Sequence, residues 1–136
     1  MPRVSSTLDK SVGKKYLMDG SPETCWTSQQ QGTPQHIQFN FPSLVIPKQV
    51  SITFQGGFVG TRCVVEVPED PAIVQSGWKT FTELFPEDVN RKQTFDLTPV
   101  VPVQGIQALR LVFQESSDFF GRITVYDVQI TGSVLS

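Results

Sequence analysis

The chain has 136 residues, 38% of them hydrophobic, and a formal net charge of -2. A chain of this length is expected to fold as one domain, residues 1–136, and to bury roughly two-thirds of its unfolded surface around one core. It lacks the net positive charge that draws proteins to nucleic acid, and no segment has the roughly 20 apolar residues that span a bilayer. Direct binding to nucleic acid and insertion into a membrane are therefore not expected.

The first predicted element is one helical turn at residues 14–18, which Gly20 can end because glycine readily adopts a positive φ. A tight polar turn follows from Asp19 to Thr24, and Trp26 comes directly after it. A tryptophan in this position is typical of a core plug whose N–H finds a backbone partner, and a sugar-stacking role is the less favoured alternative. In a β-sandwich such an opening turn can lie against the last strand.

Strands dominate the rest of the chain, because apolar β-branched and aromatic residues alternate with polar ones in short runs. The clearest runs are residues 36–41, 49–55, 108–114 and 123–130, and weaker ones are 62–67, 78–81 and 93–97. The apolar face changes near Asp127, which predicts a bulge or a strand covered on both faces. The prolines are expected between the strands, where a missing N–H removes no ladder hydrogen bond. This pattern predicts an all-β fold, an antiparallel sandwich or jelly roll of about eight strands.

Two cysteines, Cys25 and Cys63, are fewer than a small secreted domain usually carries. Their spacing does not show whether their Cα atoms come close enough for a bridge, so a disulfide stays open beside the favoured pair of reduced thiols. The residues from Met1 to Ser6 show no run like that of a signal peptide. These features predict an intracellular protein, in the nucleus or the cytoplasm.

The order of the elements resembles the discoidin or galactose-binding-like domain of coagulation-factor C-type modules. The resemblance covers nearly the whole chain and rests on Leu17-Met18-Asp19-Gly20, Glu23-Thr24-Cys25-Trp26, the strand with Ile37, Phe39 and Phe41, and the closing run 123–132. It implies a jelly-roll sandwich that binds ligands through loops at one end. It also implies that many members hold a structural calcium ion beside the first and last segments.

Three blocks are more specific and resemble a small intracellular branch of that family, the proteins associated with a testicular orphan nuclear receptor. They are Phe54-Gln55-Gly56-Gly57-Phe58, Phe85-Pro86-Glu87-Asp88-Val89-Asn90 and Asp118-Phe119-Phe120-Gly121-Arg122. The resemblance implies a non-enzymatic protein that binds its receptor and represses transcription. Secreted members usually tie their ends with a disulfide, and this chain has no cysteine near its ends, in keeping with the intracellular branch.

A calcium site is one hypothesis for the opening turn, since Asp19, Ser21 and Thr24 offer carboxylate, hydroxyl and carbonyl oxygens close together. The resemblance matches Asp127 to an acidic position at which members often have Glu. We therefore take Asp19, Thr24 and Asp127 as candidate metal ligands, although no cofactor is required. The alternative is that Asp19 and Thr24 accept backbone N–H bonds within their own turn.

The predicted partner-binding residues combine aromatic and arginine side chains, which are enriched at interface hot spots. They are Phe58, Arg62, Phe119, Phe120 and Arg122. The two adjacent glycines before Phe58 favour either close approach of a partner or a hairpin with Phe58 folded inward. If residues 118–122 are extended, Phe119 and Phe120 point to opposite sides and one is exposed.

Catalysis is not expected. His36 is the only histidine and lies on the polar face of its strand, no Gly-x-Ser-x-Gly elbow is present, and one histidine with two cysteines falls short of four zinc ligands. The sequence thus predicts a protein-interaction module that binds a protein partner such as an orphan nuclear receptor. A carbohydrate-binding module that takes a glycan is the alternative, and a glycoside hydrolase ranks third.

Overall fold

The computed structural model describes residues 2–8, 12–17, 24–29, 34–70, 73–97 and 105–134. They form one short 3₁₀ helix and eight strands. The helix is Lys14–Leu17, and the strands are β1 Arg3–Val4, β2 Trp26–Thr27, β3 Gln35–Phe54, β4 Gly60–Asp70, β5 Ile73–Leu84, β6 Lys92–Asp96, β7 Ile106–Ser116 and β8 Thr124–Val134. This confirms the all-β prediction and places the predicted helical turn at residues 14–17. No described helix is long and apolar enough to cross a bilayer.

The strand β3 joins the two layers of the jelly-roll sandwich. Its first half pairs with β7 on one side and with β1 on the other, and its second half pairs with β8 and β6. All pairings are antiparallel, in the order β2-β8-β3-β7-β4-β5 with β1 and β6 added along β3. The layers therefore share one strand and form a single hydrogen-bonded sheet that folds over its own core.

Some prolines lie inside strands, contrary to the expectation from sequence. Pro42 and Pro47 lie within β3 and Pro68 lies within β4. The pairing shifts register between Asn40 and Val45, between Pro47 and Gln49, and between Pro68 and Asp70. Proline is tolerated at such irregularities because the ladder is already interrupted there. Pro86 lies between β5 and β6 as predicted, and the prolines at 71, 99 and 102 lie outside the described residues.

The predicted irregularity near Asp127 is confirmed as a bulge. Thr53 pairs with Asp127 while the next residue, Phe54, pairs with Val125, which leaves Tyr126 as the extra residue of β8. Val125 and Val128 are both fully buried although they are three positions apart. The bulge explains how apolar residues at both odd-numbered and even-numbered positions of β8 reach the core.

The core between the layers is aromatic at its centre. Phe54 from β3 and Phe113 from β7 meet edge to face, with ring centroids 5.7 Å apart. Trp26 is fully buried beside them in the same cluster, and its Nε1 donates a hydrogen bond of 3.0 Å to the carbonyl of Ser6. This confirms Trp26 as a core plug with a satisfied N–H.

Candidate functional site

Three loops meet at one end of the sandwich: loop A (residues 55–59), loop B (85–91) and loop C (117–123). Two side chains of loop B hold them together. The Asp88 carboxylate oxygen Oδ1 accepts hydrogen bonds from the Gly57 N–H at 2.8 Å and from the Ser117 hydroxyl at 3.3 Å. The Asn90 amide oxygen accepts one from the Gly56 N–H at 3.0 Å. The three blocks that carried the narrower resemblance are therefore neighbours in space.

Loops A and C also bond to each other directly. The Ser117 N–H donates to the Val59 carbonyl at 2.9 Å, and the Val59 N–H donates to the Ser117 hydroxyl at 2.9 Å. The Thr124 N–H, at the start of β8, donates to the Phe58 carbonyl at 3.0 Å. This reciprocal bonding ties loop A to loop C.

Loop C forms a turn that presents two phenylalanines. The Gly121 N–H donates to the Asp118 carbonyl at 3.0 Å, and Gly121 has a φ of 79°, which a glycine adopts without strain. Phe119 is 94% exposed and Phe120 is 51% exposed, and their rings meet edge to face at 5.2 Å. An extended segment would expose only one ring, whereas this turn exposes both.

Arg122 is held by the first residue of that turn. Its Nε and backbone N–H each lie 3.0 Å from Asp118 Oδ2, and its Nη2 lies 3.3 Å from Oδ1. The hydrogen bond from Arg122 lowers the pKa of the Asp118 carboxyl, and the same bond raises the pKa of Arg122. The guanidinium carbon lies 5.1 Å from the ring centroid of Phe58 and 5.8 Å from that of Phe120. Arg122 therefore links the aromatic rings of loops A and C while Asp118 neutralises its charge.

Arg62 lies apart from this group. It projects from β4 and pairs with Glu83 of β5 at 2.9 Å, and the hydrogen bond to Glu83 raises the pKa of Arg62. Contacts with Arg122 and between the neighbouring rings thus unite four of the five predicted partner-binding residues, Phe58, Phe119, Phe120 and Arg122. The binding role of all five stays a prediction.

An open cleft, the loop C cleft, lies between the turn of loop C and the end of β7. Its lining residues are Gln114, Glu115, Ser116, Asp118, Phe119, Phe120 and Gly121. The Ser116 hydroxyl donates to the Arg122 carbonyl at 2.7 Å and accepts from the Asp118 N–H at 3.0 Å. The cleft thus has one wall fixed by hydrogen bonds and one aromatic wall.

Sequence reasoning missed the residues that position the loops. Asp88, Asn90 and Ser117 lie between strands, and their hydrogen-bond partners are distant in the chain. The resemblance of residues 85–90 to the intracellular branch was the signal that could have found loop B. That loop also begins with an aromatic not predicted as a contact residue, Phe85, which is 65% exposed.

The candidate calcium ligands are placed only in part. Asp19 lies outside the described residues, as does Ser21. Thr24 lies two residues before β2, and β2 pairs with β8, the strand that contains Asp127. Two oxygen-bearing side chains on adjoining segments suit the chemistry of calcium. Within the described ranges no group of three metal-binding side chains of the His, Cys, Asp or Glu type occurs, and the calcium site stays a prediction.

A second arginine stacks on an aromatic ring on the outer face of the β3-β7-β4-β5 layer. The Arg110 guanidinium carbon lies 4.2 Å from the ring centroid of Trp78, and its Nη2 donates to Gln38 at 2.9 Å. His36, on the polar face of its strand, was expected to face solvent, but it is half-buried. The pKa of its imidazole is lowered mainly by this burial and, to a smaller extent, by the positive charge of Arg110.

Both cysteines are free. Cys63 is fully buried on β4, and that burial raises the pKa of its thiol, so a nucleophilic thiolate is not available there. Cys25 is half-buried, and its Sγ lies 3.8 Å from the hydroxyl of Thr27.

The chain is similar over its length to curated proteins of vertebrates, although no family model matches it. It is 40% identical over 134 residues to the nuclear receptor 2C2-associated protein of Xenopus laevis, covering 96% of this chain and 91% of that protein. It is 40% identical over 133 residues to the protein of that name from Danio rerio and 35% identical over 133 residues to the one from Homo sapiens. Each match covers 96% of this chain and 89% of the relative.

Solved structures with a similar fold are carbohydrate-binding modules. Chitosan-binding module 2 of a chitosanase/glucanase from Paenibacillus sp. IK-5, in complex with chitotriose, superposes with a TM-score of 0.77 at 17% identity, covering 97% of this chain and 95% of that one. A family 32 carbohydrate-binding module from C. perfringens, in complex with galactose, superposes with a TM-score of 0.76 at 13% identity, covering 96% and 91%. At these identities the likeness shows the shared galactose-binding-like fold.

Proposed function

Because this chain belongs to the family of nuclear receptor 2C2-associated proteins, we propose that it is a non-enzymatic module that binds a nuclear receptor and represses its action. Loops A, B and C are the binding surface, and the two β-layers are its rigid base. A protein with this role acts in the nucleus or in the cytoplasm. The names of the relatives and the resemblance of the three loop blocks support this proposal.

The observation that carries it is the exposure of Phe119 on a hydrogen-bonded turn. A phenylalanine that is 94% exposed is unfavourable in water, since burying such a side chain is worth about 1.5–3 kcal/mol. Because bonds to Asp118 and Ser116 hold the turn, little ordering entropy is lost when a partner covers the ring. A pre-formed aromatic anchor next to a second ring is typical of an interface hot spot.

The test is direct binding of the full chain to purified nuclear receptor 2C2. We expect Phe119→Ser to weaken binding by more than about tenfold, as truncation of a hot spot does. Val134→Ser is the matched control, because Val134 is 69% exposed at the other end of β8, about 33 Å from Thr124 at the usual rise per residue. Equal affinity of both variants and the unaltered protein would refute the loop surface, and no binding by the unaltered protein would refute the receptor as partner.

Carbohydrate binding is the second candidate, and the loop C cleft favours it. The cleft combines the rings of Phe119 and Phe120 with the polar side chains of Gln114 and Glu115. Aromatic rings beside a few placed polar groups are usual in small-ligand sites, and the structural neighbours include modules in complex with chitotriose and galactose. A glycan array with Phe120→Ala as control tests it, and an array with no signal above that control would exclude it for the glycans displayed.

Structural calcium is part of the proposal as an optional ion near Asp127. We expect millimolar calcium to raise the melting temperature relative to chelator in the unaltered protein and to have no effect in Asp127→Asn. The fit of oxygen ligands to calcium supports this expectation. An unaltered protein whose melting temperature is the same in calcium and in chelator would remove the site.

A further inference from the structure

We propose that the loop C cleft receives a basic side chain, lysine or arginine, from the bound protein. The inference rests on the proposed function, because it specifies the chemistry of the partner at the same surface. On charge alone, the nearby Arg62 and Arg122 would instead attract an acidic partner. The preference for a basic side chain comes from the pairing of the charges around the cleft.

Both arginines already have carboxylate partners. Arg122 makes two side-chain hydrogen bonds to Asp118, and Arg62 pairs with Glu83 at 2.9 Å. An incoming carboxylate would have to displace a charged group that is already in place. Neither arginine therefore offers an unpaired positive charge, and Arg122 already lies over the rings of Phe58 and Phe120.

Two carboxylates line the cleft: that of Asp118 is paired with Arg122, and that of Glu115 is differently placed. Glu115 is exposed at the end of β7, opposite Arg62 in the register, but the hydrogen bond of Arg62 goes to Glu83. Among the residues that the structure describes, Glu115 has no ion-pair partner within 4.0 Å. The cleft thus contains a carboxylate whose charge is offset only at a distance by Arg62.

The aromatic wall adds to the preference for a cation. Phe119 and Phe120 line the same cleft as Glu115, and although Arg122 already lies over the Phe120 ring, the ring of Phe119 is 94% exposed and accessible to a ligand. A guanidinium or ammonium over an aromatic face is attracted by the ring quadrupole, and its aliphatic stem can cover the ring. An acidic side chain would meet the Glu115 carboxylate and the negative ring faces, so complementarity favours a base.

The first experiment uses two peptides that differ only in charge: an acetylated, amidated peptide with arginine between two leucines, and the same peptide with neutral citrulline. They are titrated into the isotope-labelled full chain, and backbone amide shifts are followed. We expect the arginine peptide to shift the amides of Glu115, Ser116, Phe119 and Phe120 and to bind about fivefold more tightly than the citrulline peptide. We also expect Glu115→Gln to reduce that difference, and Glu115→Gln combined with Phe119→Ser to abolish it. Equal shifts with both peptides, or no localised shift with either, would overturn the proposal.

A second experiment separates this inference from the proposed function. Binding to purified nuclear receptor 2C2 is measured for Glu115→Gln and Phe119→Ser at low and at high salt. The basic contact is supported if both variants bind the receptor more weakly than the unaltered protein and only the affinity of Glu115→Gln no longer depends on salt concentration. If Phe119→Ser alone weakens binding, the loop surface stands and the basic side chain is refuted. If neither weakens binding, both are refuted.

Discussion

Two aromatic side chains of this molecule differ sharply in burial. Trp26 on β2 is fully buried, with its N–H bonded to the Ser6 carbonyl. Phe119 lies within the turn of loop C and is 94% exposed. Trp26 lies on β2, which pairs with β8, and its side chain enters the core, whereas the turn of loop C is closed on itself by the Asp118 carbonyl and Gly121 N–H. The strand pairing of Trp26 buries its ring, and the closed turn leaves the ring of Phe119 available for contact with another molecule.

The largest effect should come from Trp26→Ala. Removing a fully buried aromatic leaves a cavity and an unpaired backbone carbonyl, and we expect a loss of about 3–5 kcal/mol in the free energy of unfolding. Urea denaturation measures it. Phe119→Ala is the matched variant and should stay within about 0.5 kcal/mol of the unaltered protein, as exposed substitutions do. Similar losses in both would show that the contrast between the two aromatics is wrong.

Gly121→Ala should have the next largest effect. Gly121 has a φ of 79°, and an L-residue forced into that region costs about 1–2 kcal/mol. We expect this loss in urea denaturation together with weaker receptor binding, since the turn presents Phe119. Gly56→Ala is the control, because a Cβ there meets Asn90 at an ordinary 3.6 Å. Unchanged stability of Gly121→Ala would mean that the turn tolerates another geometry.

A smaller effect is expected for Asp88→Ala. The variant loses two hydrogen bonds that hold loops A and C, and because the site is exposed the loss should be about 1 kcal/mol. Hydrogen exchange should speed up at the Gly57 N–H, the direct donor to Asp88. Glu87→Ala is the control, since its carboxylate pairs only with the exposed Arg91 among the described residues. Equal exchange rates in the two variants would contradict the role of Asp88 as a clamp.

The smallest effect concerns pH. Burial and Arg110 lower the pKa of His36 below its ordinary 6.5, so the unfolded chain binds the proton more readily than the folded one. The free energy of unfolding should therefore fall as pH decreases through about 6.5 and toward the folded pKa of His36. His36→Gln should flatten this part of the stability profile in denaturation across pH 5 to 8. A profile unaltered by the substitution would show that another group is responsible.

The sequence predicted those features that local patterns encode. Alternation identified the cores of β3, β4, β7 and β8, and the parity change near Asp127 identified the bulge, because both depend on neighbouring residues. Alternation could not show that β3 continues through Pro42 and Pro47. Its continuation depends on the neighbouring strands β7 and β8, whose pairing with β3 shifts register near these prolines.

For the candidate site, proximity in sequence was a poor guide. Arg62 was grouped with Phe58 because they are near each other in the chain, but the strand turns Arg62 toward Glu83. Asp88 was missed because its hydrogen bond to Gly57 joins residues 31 positions apart. Such contacts follow from how the whole sandwich closes, which no short window of sequence contains.

The assembly of loops A, B and C from distant segments has a practical consequence. Since the surface exists only when the entire sandwich is formed, a molecule that occupies it favours the folded state and stabilises the whole chain by mass action. At a hundred times its dissociation constant, such a ligand adds about 2.7 kcal/mol. Thermal denaturation of the unaltered protein beside Phe119→Ser, without labels or a known partner, can therefore screen compounds and peptides, and those that stabilise only the unaltered protein bind this end.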